Sequence, residues 1–384
     1  MTAIALKMLF GDRGKFFGMV VGLTFAALIM TQQLGIFLGL MTRTYASIED
    51  VPIADIWVMD PGVQYLEESK PMRDTDLNRV RGVTGVAWAV PIYKNIINAR
   101  LPDGSTKAIN LTGLDDATLI GGPLRMLEGK LGDLRRADAI IVDREAAEEH
   151  LHYLGPDGRE RPLAVGDEIE VNDRRAVVVG IGESSRDFVL VPKAFTTYLR
   201  ALSYAPPQRR QLTYILVKAR DGIEPAALTR LIEARTDLRA LTRREFQRET
   251  LRYWLENTGI PINFGISVTL GFLVGAAIAG QSFFNFVREN LTHYAVLKAM
   301  GLRAGVLVRM VLVQALVVGS IGYGIGVGIS ALFGTLMAET VLAFYMPPEL
   351  LLFSSVGVLL IVALAALLGI RQVLRLDPAV VFRS

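Results

Sequence analysis

Phe16 to Met41 runs for about 26 residues without one charged side chain. As an α-helix it is about 39 Å long, enough to cross a hydrocarbon layer about 30 Å thick with some tilt. It is too long for the apolar core of a cleaved signal peptide, so it reads as an uncleaved first span. Three further runs repeat the feature: Ile260–Phe284, Ala304–Met337 with Arg309 near its start, and Leu350–Ile370. No water reaches backbone groups inside a bilayer, so each run must close its own hydrogen bonds as a helix. The fold class that follows is α-helical membrane protein with four transmembrane helices. A large extracytoplasmic α+β domain is inserted between the first and second spans. A 51% hydrophobic content over 384 residues agrees.

Residues 42–241 supply that domain. Charge is frequent, and no apolar stretch is long enough to span. Strand-like segments recur at Asp55–Met59, Val86–Ile97, Ala108–Leu114, Ala139–Asp143, Glu168–Val171, Ala176–Ile181 and Thr213–Lys218. Turn signals such as Pro102-Asp103-Gly104 separate them, and Asp167–Ile181 reads as a hairpin turning at NDRR. Helices are expected at Arg144–Leu151 and Pro225–Arg235. Thr242-Arg243-Arg244-Glu245 is a capping box that opens a helix within 242–259. Phe246, Tyr253 and Trp254 supply its apolar surface, and the last two suit a membrane interface. This helix reads either as a surface anchor or as a stalk between domain and span.

Several chemistries are excluded. The chain has no cysteine, so disulfides, thiolate catalysis and cysteine-ligated zinc are absent. Glu148-Glu149-His150-Leu151-His152 lacks the HExxH spacing, and no metal site is expected. There is no GxSxG elbow and no GxxxxGK[ST] loop, so the chain has no catalytic residue set and no nucleotide site of its own. A net charge of +3 gives no support to a nucleic-acid partner.

Phe286–Arg303 lies between the second and third runs and reads mostly as one short amphipathic helix. Tyr294, Leu297 and Met300 recur near one face, while Arg288, Glu289, Lys298 and Arg303 carry charge, and Gly301 closes the helix. A solvated loop with one helical turn satisfies the same pattern. Gly35-xxx-Gly39 in the first run and Gly322-xxx-Gly326 in the third place small residues on helix faces, which permits close helix packing. Lys7, Arg13 and Lys15 in segment 1–15, the basic residues of 286–303, and Arg371, Arg375 and Arg383 in the tail 371–384 face a 338–349 loop with no Lys or Arg. The positive-inside rule puts both termini and 286–303 in the cytoplasm and the large domain outside. The boundaries expected are 16–41, 260–285, 304–337 and 350–370 for the four spans.

Tyr294–Gly326, YAVLKAMGLRAGVLVRMVLVQALVVGSIGYGIG, resembles the signature of FtsX-like permeases of the MacB type. Leu241–Pro261 and the tail Arg375–Arg383 are similar to the DevC-type export permeases within that group. What the resemblance implies is the permease subunit of an ATP-binding-cassette export system in a bacterial inner membrane. In that family 286–303 is a coupling helix docked on a separate ATPase, which binds ATP and magnesium. Tyr294, Leu297 and Met300 are then the expected knobs, and Glu289, Lys298 and Arg303 the rim. The stalk residues Thr242, Glu245, Phe246, Tyr253 and Trp254 pass motion to a domain with a porter-like lobe and a small β-rich lobe. A homodimer with spans one and two near the axis is implied, with Gly35 and Gly39 at the contact. A periplasmic adaptor, an outer-membrane duct and a lipid, glycolipid or small-molecule substrate complete the implied system. The alternative within the same superfamily is FtsX itself, which relays ATPase motion to cell-wall hydrolases and exports nothing.

Overall fold

The computed structural model describes residues 2–155, 157–337, 340 and 342–375. Glu339 and Arg383 lie outside the described residues, as does the 376–383 part of the DevC-like tail. The chain forms two compact units, Met1–Leu40 with Gly259–Ser384, and Met41–Thr258.

The chain opens with α1 (Thr2–Gly11) and α2 (Arg13–Arg43). The α+β unit then holds helices α3 (Ala46–Glu49), α4 (Asp74–Arg81), α5 (Tyr198–Tyr204), α6 (Pro225–Thr236) and α7 (Arg243–Asn257). Its strands are β1 (Ile56–Met59), β2 (Val86–Arg100), β3 (Thr106–Leu114), β4 (Arg125–Glu128), β5 (Ala139–Asp143), β6 (His152–Leu154), β7 (Glu160–Pro162), β8 (Glu168–Val171), β9 (Arg174–Glu183), β10 (Lys193–Thr197), β11 (Tyr214–Ala219) and β12 (Arg239–Thr242). The main sheet runs β12-β1-β11-β2-β3-β10-β5-β9-β4, with β8 bridging β2 and β9.

β2 is the spine of this unit. Its first half pairs antiparallel with β11 and its second half with β3, from Tyr93 opposite Gly113 to Arg100 opposite Thr106. Strand side chains alternate faces, so Ala89, Tyr93 and Ile97 enter one core while Trp88, Val90 and Ile92 pack in another. Burial on both faces explains why the sequence there reads as a nearly unbroken apolar run. The β8–β9 hairpin turns on only Asn172 and Asp173, both at positive φ (48° and 61°). Such a two-residue turn matches the strand twist, and Arg174 and Arg175 of the expected NDRR turn belong to β9 instead. The helix expected at Arg144–Leu151 is present from Arg144 to His150, and it widens to a π-helical turn over Ala146–His150.

The helical unit continues with α8 (Ile260–Glu289), α9 (Leu291–Ala299), α10 (Ala304–Met337) and α11 (Pro348–Leu374). Among the described residues four helices, α2, α8, α10 and α11, are long and apolar enough to cross a membrane. The glycines of this unit sit where helices approach closely. A Cβ on Gly275 would lie 2.2 Å from Ala26 Cβ, and one on Gly326 would lie 2.6 Å from Ala27 Cβ. Gly322 meets Leu23 in the same way at 2.7 Å, so α2 lies between α8 and α10. Gly35 and Gly39 differ from expectation. A Cβ on Gly35 would meet the Phe344 ring at 2.6 Å, and one on Gly39 the Ala343 carbonyl carbon at 2.6 Å. Tyr345 N donates to the Gly35 carbonyl at 2.9 Å. These two glycines seat the chain's own segment before α11, and that face of α2 is not open to a second copy.

Candidate functional site

The segment expected to be one helix, 286–303, is divided. α8 continues to Glu289 because Phe286 and Val287 extend its buried stripe, both at 0% exposure. The break falls at Asn290, whose backbone N and side-chain Nδ2 both donate to the Phe286 carbonyl, at 3.2 and 2.9 Å. α9 then starts at Leu291. Its far end closes on Gly301 at φ 90°, with Leu302 N donating to Leu297 O at 3.2 Å. That bond and the left-handed residue form a Schellman closure, which glycine adopts without a Cβ clash.

α9 has two unlike faces. Tyr294 is fully buried, and its hydroxyl donates to Gln314 Oε1 at 2.8 Å. Gln314, also at 0% exposure, donates from Nε2 to the Ala5 carbonyl at 2.9 Å. This chain of bonds ties α9 to α10 and α1. Burial pushes the Tyr294 hydroxyl up to about 12, so it stays a neutral donor at any physiological pH. Leu297 joins the same core, at 8% exposure. Tyr294 and Leu297 are therefore not the surface knobs expected of them, because the apolar stripe of α9 packs on its own chain. Met300, at 65% exposure, does face outward. Val296, His293 and Arg303 are exposed with it, while Lys298 is half-buried. Glu289 pairs with Lys15 at the end of α8, and Arg288 is exposed.

Sequence reasoning missed Gln314. Its signal is present: one amide in the middle of the third apolar run, where an unpaired polar group is unfavourable. Ala5 carries no signal at all, since only its carbonyl takes part.

α7 opens on the expected capping box. Glu245 N donates to Thr242 Oγ1 at 3.3 Å, and Thr242 N donates to Glu245 Oε2 at 2.9 Å. Phe246, at 1% exposure, enters an aromatic cluster with Trp57 and Tyr214, ring centres 5.7 and 6.1 Å away. Tyr253 stacks on Tyr65 at 4.1 Å and Trp254 meets Phe188 at 4.3 Å. Both rings are held by the α+β unit itself rather than left as a belt for lipid. α7 is thus built into the domain along its length.

Elsewhere, Glu145, Glu149 and His150 bring potential ligand atoms within 4.8 Å of one another. Arg186 already pairs with Glu145 at 3.0 Å and Glu149 at 2.8 Å, supplying the positive charge a cation would bring.

Residues 16–235, more than half of the chain, match the family described as MacB-like periplasmic core domain. Residues 265–378 match the FtsX-like permease C-terminal family. No curated protein matches the chain. Among solved structures, the periplasmic region of MacB from Actinobacillus actinomycetemcomitans is similar at 15% identity and TM-score 0.37, covering 55% of this chain and 96% of that one. The extracellular domain of the ABC-type transporter YknZ from Gram-positive bacteria is similar at 12% identity and TM-score 0.34, covering 49% and 98%. A domain of a permease protein from Porphyromonas gingivalis is similar at 14% identity and TM-score 0.34, covering 50% and 90%. The two family matches follow one another along the chain in the order domain, then spans, and the chain belongs to the FtsX/MacB-type permeases.

Proposed function

We propose that this permease works as the membrane subunit of a DevC-type ATP-driven export system in a bacterial inner membrane. Its family makes it an ABC-transporter permease. The export step, the partners and the orientation are our reading. The single observation that carries it is the two-faced α9. One face is fixed to α1 and α10 through Tyr294, Gln314 and the Ala5 carbonyl, and the other presents His293, Val296, Met300 and Arg303. A short helix held rigidly on one side and exposed on the other transmits a push from a soluble partner to the spans. The partner is a separate ATPase, which holds ATP and magnesium. Basic residues at both termini and in 286–303 support a cytoplasmic position for this face and a periplasmic one for the α+β domain.

Two copies act with two ATPases, with spans one and two toward the dimer axis. The capped α7, packed into the domain core, carries motion onward, and an adaptor and outer-membrane duct take the cargo, a lipid, glycolipid or small molecule. Affinity purification of the tagged full chain from its native membranes tests the partnership. A soluble ATPase is expected to co-purify, and to be lost when Val296 and Met300 are both replaced by Asp. Retention of the ATPase by that folded double variant would overturn the docking face. Recovery of a cell-wall hydrolase without an adaptor would favour signalling over export.

A further inference from the structure

α1 has two faces, as α9 has. Ala5 and Leu9, one turn apart, are both at 0% exposure in the core of the helical unit. Ile4, Lys7, Met8 and Gly11 recur at i, i+3, i+4 and i+7, which puts them together on a different stripe. They form one wall of an open groove of about 460 Å³. Glu289, Asn290 and His293, from the end of α8 and the start of α9, form the facing wall.

One buried amide serves both walls. Gln314 accepts from the Tyr294 hydroxyl of α9 at 2.8 Å and donates to the Ala5 carbonyl of α1 at 2.9 Å. Lys15 of α2 pairs with Asp12 and with Glu289 of α8, which adds a second tie across the groove. The groove is therefore preformed, and a partner entering it meets walls that are already ordered.

Charge narrows the occupant. Segments 1–15 and 286–309 carry seven Lys and Arg against two acids, Asp12 and Glu289. Lys15 holds both acids, whereas Lys7 is exposed and makes no ion pair among the described residues. An acidic partner is favoured, and Ile4 and Met8 beside Lys7 offer it an apolar contact. Phosphate headgroups have no apolar body to lay on those two side chains. The flank of α1 that suits lipid lies off the groove stripe, where Phe10 packs on Phe16 at 5.0 Å and Phe16 on Phe17 at 5.9 Å. We propose that the α1–α9 groove is a second docking site for the soluble ATPase. It takes an acidic amphipathic segment, with an apolar side chain on Ile4 and Met8 and a carboxylate at Lys7. This rests on the reading of α9 as the ATPase-docking face and extends that face to α1.

Titration of the co-purifying ATPase onto the full chain in phosphatidylcholine nanodiscs tests this. Binding is expected to weaken as salt rises. Gly11→Trp fills the groove, since no heavy atom lies within 4 Å of a Cβ there, and Lys7→Glu reverses the free cation. Each should weaken binding at least about tenfold, while Phe10→Ala on the aromatic flank should leave it unchanged. Melting midpoints report folding, and all three positions are exposed. If Gly11→Trp does not fold, Lys7→Glu decides. Full-strength binding by the folded groove variants, with binding lost when Val296 and Met300 are replaced by Asp, overturns the groove and leaves the α9 face standing. Failure of the unaltered chain to hold any ATPase overturns both. A second set of nanodiscs contains phosphatidylglycerol. Loss of bound phosphatidylglycerol from the groove variants, with ATPase binding intact, assigns the groove to lipid and overturns the proposal.

Discussion

Glu67 carries a charge that the α+β domain does not accommodate. Burial raises its carboxyl to about 7 from an ordinary 4.5, with Asp187 adding to the rise and Lys94 and Lys193 opposing it. Because the folded value is the higher one, the folded state binds the proton more tightly than the unfolded state. Below pH 4.5 the group brings no penalty, and the penalty grows as pH rises from 4.5 to 7. The full effect is about 3 kcal/mol. Glu67→Gln is therefore expected to raise the unfolding midpoint at pH 8 and change it little at pH 4. Chemical denaturation of the full chain across that range checks this, and an unchanged pH 8 midpoint would refute it. Neither this group nor Tyr294 could be placed from sequence. Tyr294 and Leu297 were legible as an apolar stripe, but a stripe has no label saying whether its own chain or a partner covers it. Here the deciding residue is Gln314, twenty positions onward, which makes Tyr294 a fixed internal anchor.

At the scale of elements, α10 shows what glycine spacing can and cannot say. Gly322, Gly324, Gly326 and Gly328 offer two GxxxG pairs offset by two residues, and the letters do not choose between them. The structure does: Gly322 and Gly326 lie against α2, while Gly324 and Gly328 have nothing within 4 Å. Gly326→Leu is expected to destabilise the helical unit by about 1–3 kcal/mol through overpacking. Gly324→Leu, on the open face, should be neutral or slightly stabilising through better helix propensity. Thermal unfolding in nanodiscs separates the two, and equal effects would contradict this packing. The strands divide similarly. β2, β5 and β8 were readable because they are apolar runs or alternate cleanly. β4, β6, β7 and β12 are three or four residues long and, apart from Ala240 of β12, have exposed or half-buried side chains, so little periodicity marks them. β10, KAFTT, is buried at every position but is short and carries Lys193, whose ammonium is held by Asp187, Ser47 and the Ser185 carbonyl.

For the whole molecule, the four long apolar helices follow from runs with little or no charge, and the domain between the first two from the frequent charge of 42–241. Orientation rests on the distribution of Lys and Arg. Protease added outside intact spheroplasts is expected to cut within residues 42–259 and to spare 286–303. Cleavage inside 286–303 from that side would reverse the topology. The broad identity was legible because Tyr294–Gly326 holds a recognisable stretch, whereas the docking face was not, since it depends on which side of α9 the core occupies. The central claim is that α9 couples a soluble ATPase to the spans through its exposed face. ATP hydrolysis by that partner ATPase, reconstituted with the full chain in nanodiscs, measures this most directly. The unaltered permease is expected to stimulate hydrolysis. Replacing both Val296 and Met300 by Asp should cut stimulation at least about tenfold while the melting midpoint holds, because both side chains face outward. Full stimulation by that folded double variant would contradict the account.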